Sequence, residues 1–326
     1  MNKFDLSFGN SVAVRKAFMD TVARGVTFTY DSMLHMDYPV HDGDPELVEI
    51  TKQVIKRQMG LSYKHVFMTN GATGADVIAL RSYAQRGLKA CRTRMPPYYS
   101  RFPGMIKAAG MTHWTIDFPP GHSEKSVLLI DLPSNPIGNF DGINFHSGPI
   151  ILDAVYCNKV YCGPKPIDFY GHNILTGSYS KLLGINGIRL GWLATNENML
   201  ADRISKLITS EYCGLSVPDA WILKTYLRNL DWDSFESRAN MYLDFNRGDM
   251  SKLEKYFYGT PVPKIGMFWY VPMDKPCQKL MEKAGVIWTK GSLMGTNDDF
   301  GRLNIGQDMG IISEAVKTIL KIDKSQ

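Results

Sequence analysis

The feature that most constrains this chain is a series of short apolar runs, at residues 66–68, 126–131, 149–152, 173–176 and 189–194, each ending in polar or glycine-bearing residues. Runs of this length read as strands. Segments of helical pattern fall among them, as in 76–85 and up to Ala109. Strands alternating with helices imply an α/β fold with a mostly parallel sheet covered by helices. Polar groups gather where the runs end, at 69–75, at 132–138 and at Asp153. In open parallel sheets that carboxyl edge is where ligands sit.

One block stands out, Gly-Ser-Tyr-Ser-Lys-Leu-Leu-Gly-Ile-Asn-Gly-Ile-Arg-Leu-Gly-Trp at 177–192. Its single lysine, Lys181, follows two hydroxyls, Ser178 and Ser180, and precedes a single arginine, Arg189. A neutral lysine amine condenses with carbonyls, and its pKa falls when it is desolvated or placed beside a cation. The hydroxyls and the planar guanidinium are equally suited to a phosphate. Pyridoxal 5'-phosphate (PLP) is the cofactor that needs both an imine lysine and a phosphate cup. Taken alone, the block also reads as a glycine-rich surface loop with a solvated lysine. A second glycine-bearing turn, Thr69 to Ala75, opens a helix and offers free N–H groups to an anion. It lacks the Gly-Lys-Ser/Thr ending of a P-loop and the GxGxxG of a dinucleotide fold, which disfavours ATP and NAD.

Elsewhere the chain reads in order. Asn10 caps an N-terminal helix ended by Gly25, and Asp44-Pro45 opens another that Gly60 closes. The strand before Pro96, residues 89–94, is unusually polar for a buried parallel strand, so its two arginines are either functional or mark an exposed edge. Beyond about Asn196 the pattern becomes helical, then α+β, with strands at 266–272, 286–289 and 300–305. This marks a bridge into a second domain. A balance of 37 basic to 32 acidic residues, without a basic run, points to no nucleic-acid or membrane partner. No apolar leader or spanning stretch is evident, so a cytoplasmic protein is expected. Five cysteines without a CxxC pair, and seven histidines without ligand spacing, signal neither a disulfide framework nor a metal.

Taken together and in order, these segments resemble the fold type I PLP-dependent enzymes, specifically the class I and II aminotransferases and their histidinol-phosphate aminotransferase-like group, from about Asp5 to Gly306. Ser178-x-Ser180-Lys181 with Gly187-x-Arg189-x-Gly191 is similar to the family's SxSK and GxRxG block. The resemblance makes Lys181 the Schiff-base lysine and assigns the cofactor phosphate to Ser178 and Arg189. Gly71, Ala72 and Thr73 match the family's phosphate loop. Asn135-Pro136-Ile137-Gly138 matches NPxG, with Asn135 at the cofactor's phenolic oxygen. Asp153-Ala154-Val155-Tyr156 resembles DExY, which sets Asp153 at the pyridine nitrogen and Tyr156 at the same phenolic oxygen. Pro97-x-Tyr99-x-x-Phe102 fits PxYxxY, so Tyr99 stacks on the ring, within a register uncertainty of one from Tyr98. Tyr38 lies where family members send a tyrosine to the neighbouring subunit's phosphate, implying a homodimer with shared active sites. Arg302, in Phe-Gly-Arg-Leu-Asn, resembles the arginine that binds the substrate α-carboxylate.

What the resemblance implies is amino-group transfer between an amino acid, or an amine, and a 2-oxo acid. It also implies a large PLP-binding domain, 40–215, and a smaller α+β domain built from 1–39 and 216–326. A PLP-dependent decarboxylase or lyase on the same scaffold stays open, as does a non-catalytic PLP-binding protein. Two departures from the family accompany it: only the stretch from Gly138 to Asp153 is available for a crossover that usually contains a helix, and the strand before Pro96 is unusually polar; the chain is also short for the family.

Overall fold

A computed structural model describes residues 4–22, 26, 38–115, 125–140, 148–163 and 173–324. In chain order the described elements begin with β1 (Phe4–Asp5), α1 (Val12–Thr21), α2 (Pro45–Met59), β2 (His65–Asn70), α3 (Gly71–Ala84), β3 (Ala90–Thr93), α4 (Phe102–Ala108) and β4 (Thr112–Thr115). There follow β5 (Ser126–Asp131), β6 (Ile150–Asp153), α5 (Lys159–Cys162), β7 (Ile174–Ser178), α6 (Tyr179–Leu182), β8 (Leu190–Thr195) and α7 (Asn198–Tyr212). The C-terminal part holds α8 (Val217–Asn229), α9 (Trp232–Met250), β9 (Phe268–Pro272), α10 (Lys275–Lys283), β10 (Val286–Ile287), β11 (Thr289–Lys290), β12 (Phe300–Asn304) and α11 (Met309–Asp323).

The expected start and stop signals work locally. Asp44 accepts the Leu47 N–H at the start of α2, Pro45 occupies its first turn, and Gly60 ends it in the left-handed region. At α1 the cap falls on Ser11 instead of Asn10, without a side-chain cap bond, and Gly25 lies outside the described residues.

Seven strands form one sheet in the order β2-β8-β7-β6-β5-β3-β4. β7, β6, β5, β3 and β4 run parallel, while β8 is antiparallel to both β7 and β2. The reversal was not read from the sequence. Only residues 179–189 join β7 to β8, too few to carry a helical crossover back to the starting edge. Between β5 and β6, by contrast, parallel pairing holds, and residues 141–147 of that connection lie outside the described residues.

The inner strands β5, β6, β7 and β8 are buried on both faces. Leu128, Ile130, Leu152, Leu175 and Trp192 pack on one side with α1, α2, α8 and α9, and Val127, Leu129, Ile151, Ile174 and Leu193 pack on the other with α3, α4 and α7. Alternate residues of one strand thus serve opposite cores, which is why the runs read as continuously apolar. The polar strand β3 lies between β5 and β4, fully buried; it is not an edge, and Arg94 beyond it pairs with Asp131.

β9, β11 and β12 form a separate antiparallel sheet, and β1 pairs with β10. A third core with α10 and α11 underlies them. The N-terminal strand therefore pairs within the C-terminal part, while α1 and α8 pack into the large sheet's core. Among the described residues no helix is long and apolar enough to cross a membrane.

Candidate active site

The ends of β2, β3, β5, β6 and β7 and the start of β8 meet at one edge of the sheet. There, with β12 and the segment 7–10, they enclose a cavity of about 650 Å3. Ala72, Thr73, Tyr99, Asn135, Asp153, Tyr156, Ser178, Lys181, Arg189 and Arg302 all line it. Residues scattered over more than two hundred positions converge because parallel strands deliver their C-terminal turns to a common edge.

Lys181 sits in α6, whose first turn Ser178 caps by accepting the Ser180 N–H. Its Nζ donates to the carbonyl of Gly9. Burial, with the positive charges of Arg302 and Arg189, brings the Lys181 ammonium down to about 8. More neutral amine, the form that attacks a carbonyl, is thus available near neutral pH than an ordinary lysine offers.

Arg189 precedes β8 in the left-handed region, at φ 56°. Its Nη1 donates to Ser180 Oγ at 3.3 Å and to the Asn186 carbonyl at 3.1 Å. Gly71, at φ +64°, leaves room for it: a Cβ there would stand 2.7 Å from Arg189 Nη2. The helix α3 begins at Gly71, five residues before the expected start, which puts Ala72 and Thr73 in its first turn, where N–H groups lack intrahelical acceptors. Ser178 is committed differently from its expected role, since its hydroxyl donates to the Leu190 carbonyl. Ser180, to which the family resemblance assigned no part, is the hydroxyl in contact with Arg189.

Arg302 on β12 is buried, and Phe268 lies under its guanidinium at 4.0 Å. Nη1 donates to Asn135 Oδ1 at 2.9 Å, and Nη2 to the Ser7 carbonyl at 2.9 Å and Thr289 Oγ1 at 3.2 Å. Nε has no partner. Neither Arg302 nor Arg189 forms an ion pair among the described residues. Asp298, four residues earlier in the chain, pairs with Lys290. Two arginines in one cavity, neither in an ion pair among the described residues, can take two anionic groups.

Between them lie the acids and rings. Asp153 ends β6, accepts the Val155 N–H at 3.1 Å, and is pushed up to about 7 by burial and the charge of Asp131. Tyr156 meets Phe268 edge to face at 5.6 Å, and burial pushes its hydroxyl well above the ordinary tyrosine value. Tyr99, not Tyr98, faces the cavity; Tyr98 packs on His113. Tyr38 is 90% exposed and lies outside the cavity, beside Pro39 and Val40.

Residues 2–319 match the profile of the family described as aminotransferase class I and II. The chain belongs to that family. Among curated proteins, this family member is 29% identical over 159 residues to tryptophan aminotransferase-related protein 1 of Oryza sativa subsp. japonica, a match covering 47% of this chain and 35% of that protein. A second rice protein, tryptophan aminotransferase-related protein 2, is 24% identical over 165 residues, covering 47% and 32%. The chain thus matches about a third of the length of these relatives. Among solved structures, the aromatic aminotransferase of Pyrococcus horikoshii OT3 superposes with a TM-score of 0.76 at 17% identity, over 100% of this chain and 96% of that one. The tyrosine aminotransferase of Leishmania infantum gives 0.74 at 18%, over 99% and 92%. At these identities the likeness is one of fold: this class I and II family member has the architecture of the aminotransferases.

Several cavity residues of this family member went unassigned in the sequence. Asp76 lines the site from α3, and the segment 7–10 reaches it because Asn304 Nδ2 donates to the carbonyls of Phe8 and Asn10. A carboxylate within the apolar run Ala75-Asp76-Val77-Ile78-Ala79 was the available signal for the first. For the second there was none, since it depends on a pairing between the two ends of the chain.

Proposed function

We propose that this protein binds PLP and moves amino groups between an amino acid, or an amine, and a 2-oxo acid. The observation that carries this reading is a desolvated lysine flanked, in one cavity, by two arginines that lack carboxylate partners. The space that Gly71 leaves beside Arg189 and the orphaned Nε of Arg302 fit a ligand with anions at both ends. Arg189, Ser180, Thr73 and the N–H groups of Ala72 and Thr73 would hold the phosphate, with Ser178 fixing the turn that presents them. Tyr99 would pack on the ring, Asn135 and Tyr156 would meet its phenolic oxygen, and Asp153 its nitrogen.

When bound, the cofactor supplies an electron sink for negative charge at the substrate Cα. The residues do the rest. Asp153, ionised beside a cationic ring nitrogen, holds the proton there. Arg302 fixes the substrate carboxylate by two parallel charge-assisted bonds, orienting Cα toward Lys181. The Lys181 amine, close to neutral pH in its affinity for protons, takes the Cα proton. Phe8, Ile287, Trp288 and Leu293 line the same cavity and favour an apolar or aromatic side chain, in keeping with the names of the relatives. Tyr38 would complete the phosphate site of a second copy in a homodimer.

Loading the protein with PLP, reducing with borohydride and mapping the product by mass spectrometry tests the reading. The cofactor's mass should appear on the peptide bearing Lys181. A cofactor mass on another lysine, or none, contradicts it.

A further inference from the structure

Asp131, Asp153 and Thr176 form one row across three neighbouring parallel strands, because β5 pairs Asp131 with Asp153 and β7 pairs Thr176 with Asp153. Above this row α3 places Asp76, which accepts a hydrogen bond from Thr176 Oγ1 at 2.6 Å and lines the same cavity as both aspartates. Asp76, Asp131 and Asp153 are 1%, 3% and 6% exposed. Their environments differ in one respect. Asp131 has a cation, Arg94, at 3.4 Å, and the Asn135 N–H at 2.7 Å. Asp76 and Asp153 have no lysine, arginine or histidine within ion-pair distance among the described residues.

The ionisable groups facing Asp76 are Asp153 and Asp131 from the sheet, the buried thiol of Cys91 on β3, and Tyr99 from the loop before α4. None supplies positive charge. Two buried carboxyls that share a site without a cation cannot both ionise near neutral pH. Burial and the charge of Asp153 raise Asp76 well above its ordinary value, and burial with the charge of Asp131 raises Asp153 as well. The more deeply enclosed member therefore keeps the proton.

We propose that Asp76 is a positioning residue that carries the single proton of a two-carboxyl pair, so that Asp153 alone presents negative charge to the ring nitrogen of the cofactor. The role toward the ring rests on the PLP reading above; the shared proton does not. As a neutral acid Asp76 still accepts from Thr176 and adds no second charge beneath the ring.

Infrared spectra of cofactor-free protein between pH 6 and 8 test the proton directly. The wild type should show the carbonyl stretch of a buried carboxylic acid, and Asp76→Asn should lose it. Because an amide mimics a neutral acid, that variant should bind PLP at pH 7 within about threefold of wild type. The pH profile gives a readout that a packing role would not move. A folded carboxyl with a raised pKa binds more protons than its unfolded form, so stability falls as pH rises from about 4 toward the folded value. Relative to Asp76→Asn, the wild type should therefore lose melting temperature progressively with pH. Absence of the acid band in the wild type, or its persistence in Asp76→Asn with loss in Asp153→Asn, overturns the proposal. Should Asp76→Asn fail to fold, wild type labelled with carbon-13 aspartate decides: a shifted acid band that survives to pH 8 supports the pair, and its absence overturns it. Failure of PLP to attach to Lys181 with the acid band intact would count against the cofactor reading and not against the shared proton.

Discussion

At the scale of single residues, Arg302 separates a reader of α-carboxylates from an enzyme acting on amines. Losing one partner of a buried charge pair costs on the order of 3 to 5 kcal/mol, and about 1.4 kcal/mol is tenfold. Arg302→Ala should lower kcat/KM for an amino acid by roughly two to three orders of magnitude, with lysine rescuing only part because it lacks the fork. The matching decarboxylated amine should lose far less; an equal loss on both would show that Arg302 does not read the carboxylate. Lys181 makes a second claim, on pH. Its folded pKa, about 8, lies below the unfolded value, so the native state binds fewer protons between about 8 and 10.5 and gains stability as pH rises through that window. In cofactor-free protein, Lys181→Met should abolish that rise in melting temperature, and an unchanged profile would mean the lysine is solvated. The residues whose place in the cavity was legible in advance were those carried by a local motif, such as Lys181, Asp153 and Asn135. Asp76 and Arg94 were not, because their meaning depends on which carboxyl and which strand stand opposite.

At the scale of elements, the strands and most caps followed from apolar runs and from Asp44, Pro45 and Gly60. The direction of β8 did not, since a run of apolar residues has no sign; only the length of the 179–189 connection contains it. This strand is also where backbone meets backbone. A Cβ on Gly191 would stand 2.5 Å from the Gly177 carbonyl oxygen and 2.6 Å from the Gly71 carbonyl carbon. Neither atom can move without shifting Lys181 or the first turn of α3. Gly191→Ala should cost about 1–3 kcal/mol of stability, as overpacking does, and should also weaken PLP retention. Thermal melts and PLP titration measure the two effects. Full retention with normal stability would mean the phosphate side of the cavity does not depend on this close approach.

At the scale of the whole molecule, the α/β class and the mostly parallel sheet were legible, while the union of the segment 7–10 with β12 required the folded chain. Tyr38, 90% exposed and outside the lining of its own cavity, belongs to the same scale. It should be covered by a second copy, so sedimentation should show a dimer and Tyr38→Phe should weaken PLP retention. A strict monomer with full activity contradicts the shared site. The central claim, amino-group transfer through Lys181, is met most directly by a single half-reaction. PLP-loaded protein should be mixed with an aromatic amino acid in the absence of any 2-oxo acid. The account predicts loss of the bound cofactor's visible absorbance together with one equivalent of the matching 2-oxo acid per site, and recovery of the absorbance on adding a different 2-oxo acid. Release of carbon dioxide or ammonia in place of the 2-oxo acid, across a screen of amino acids, would contradict it.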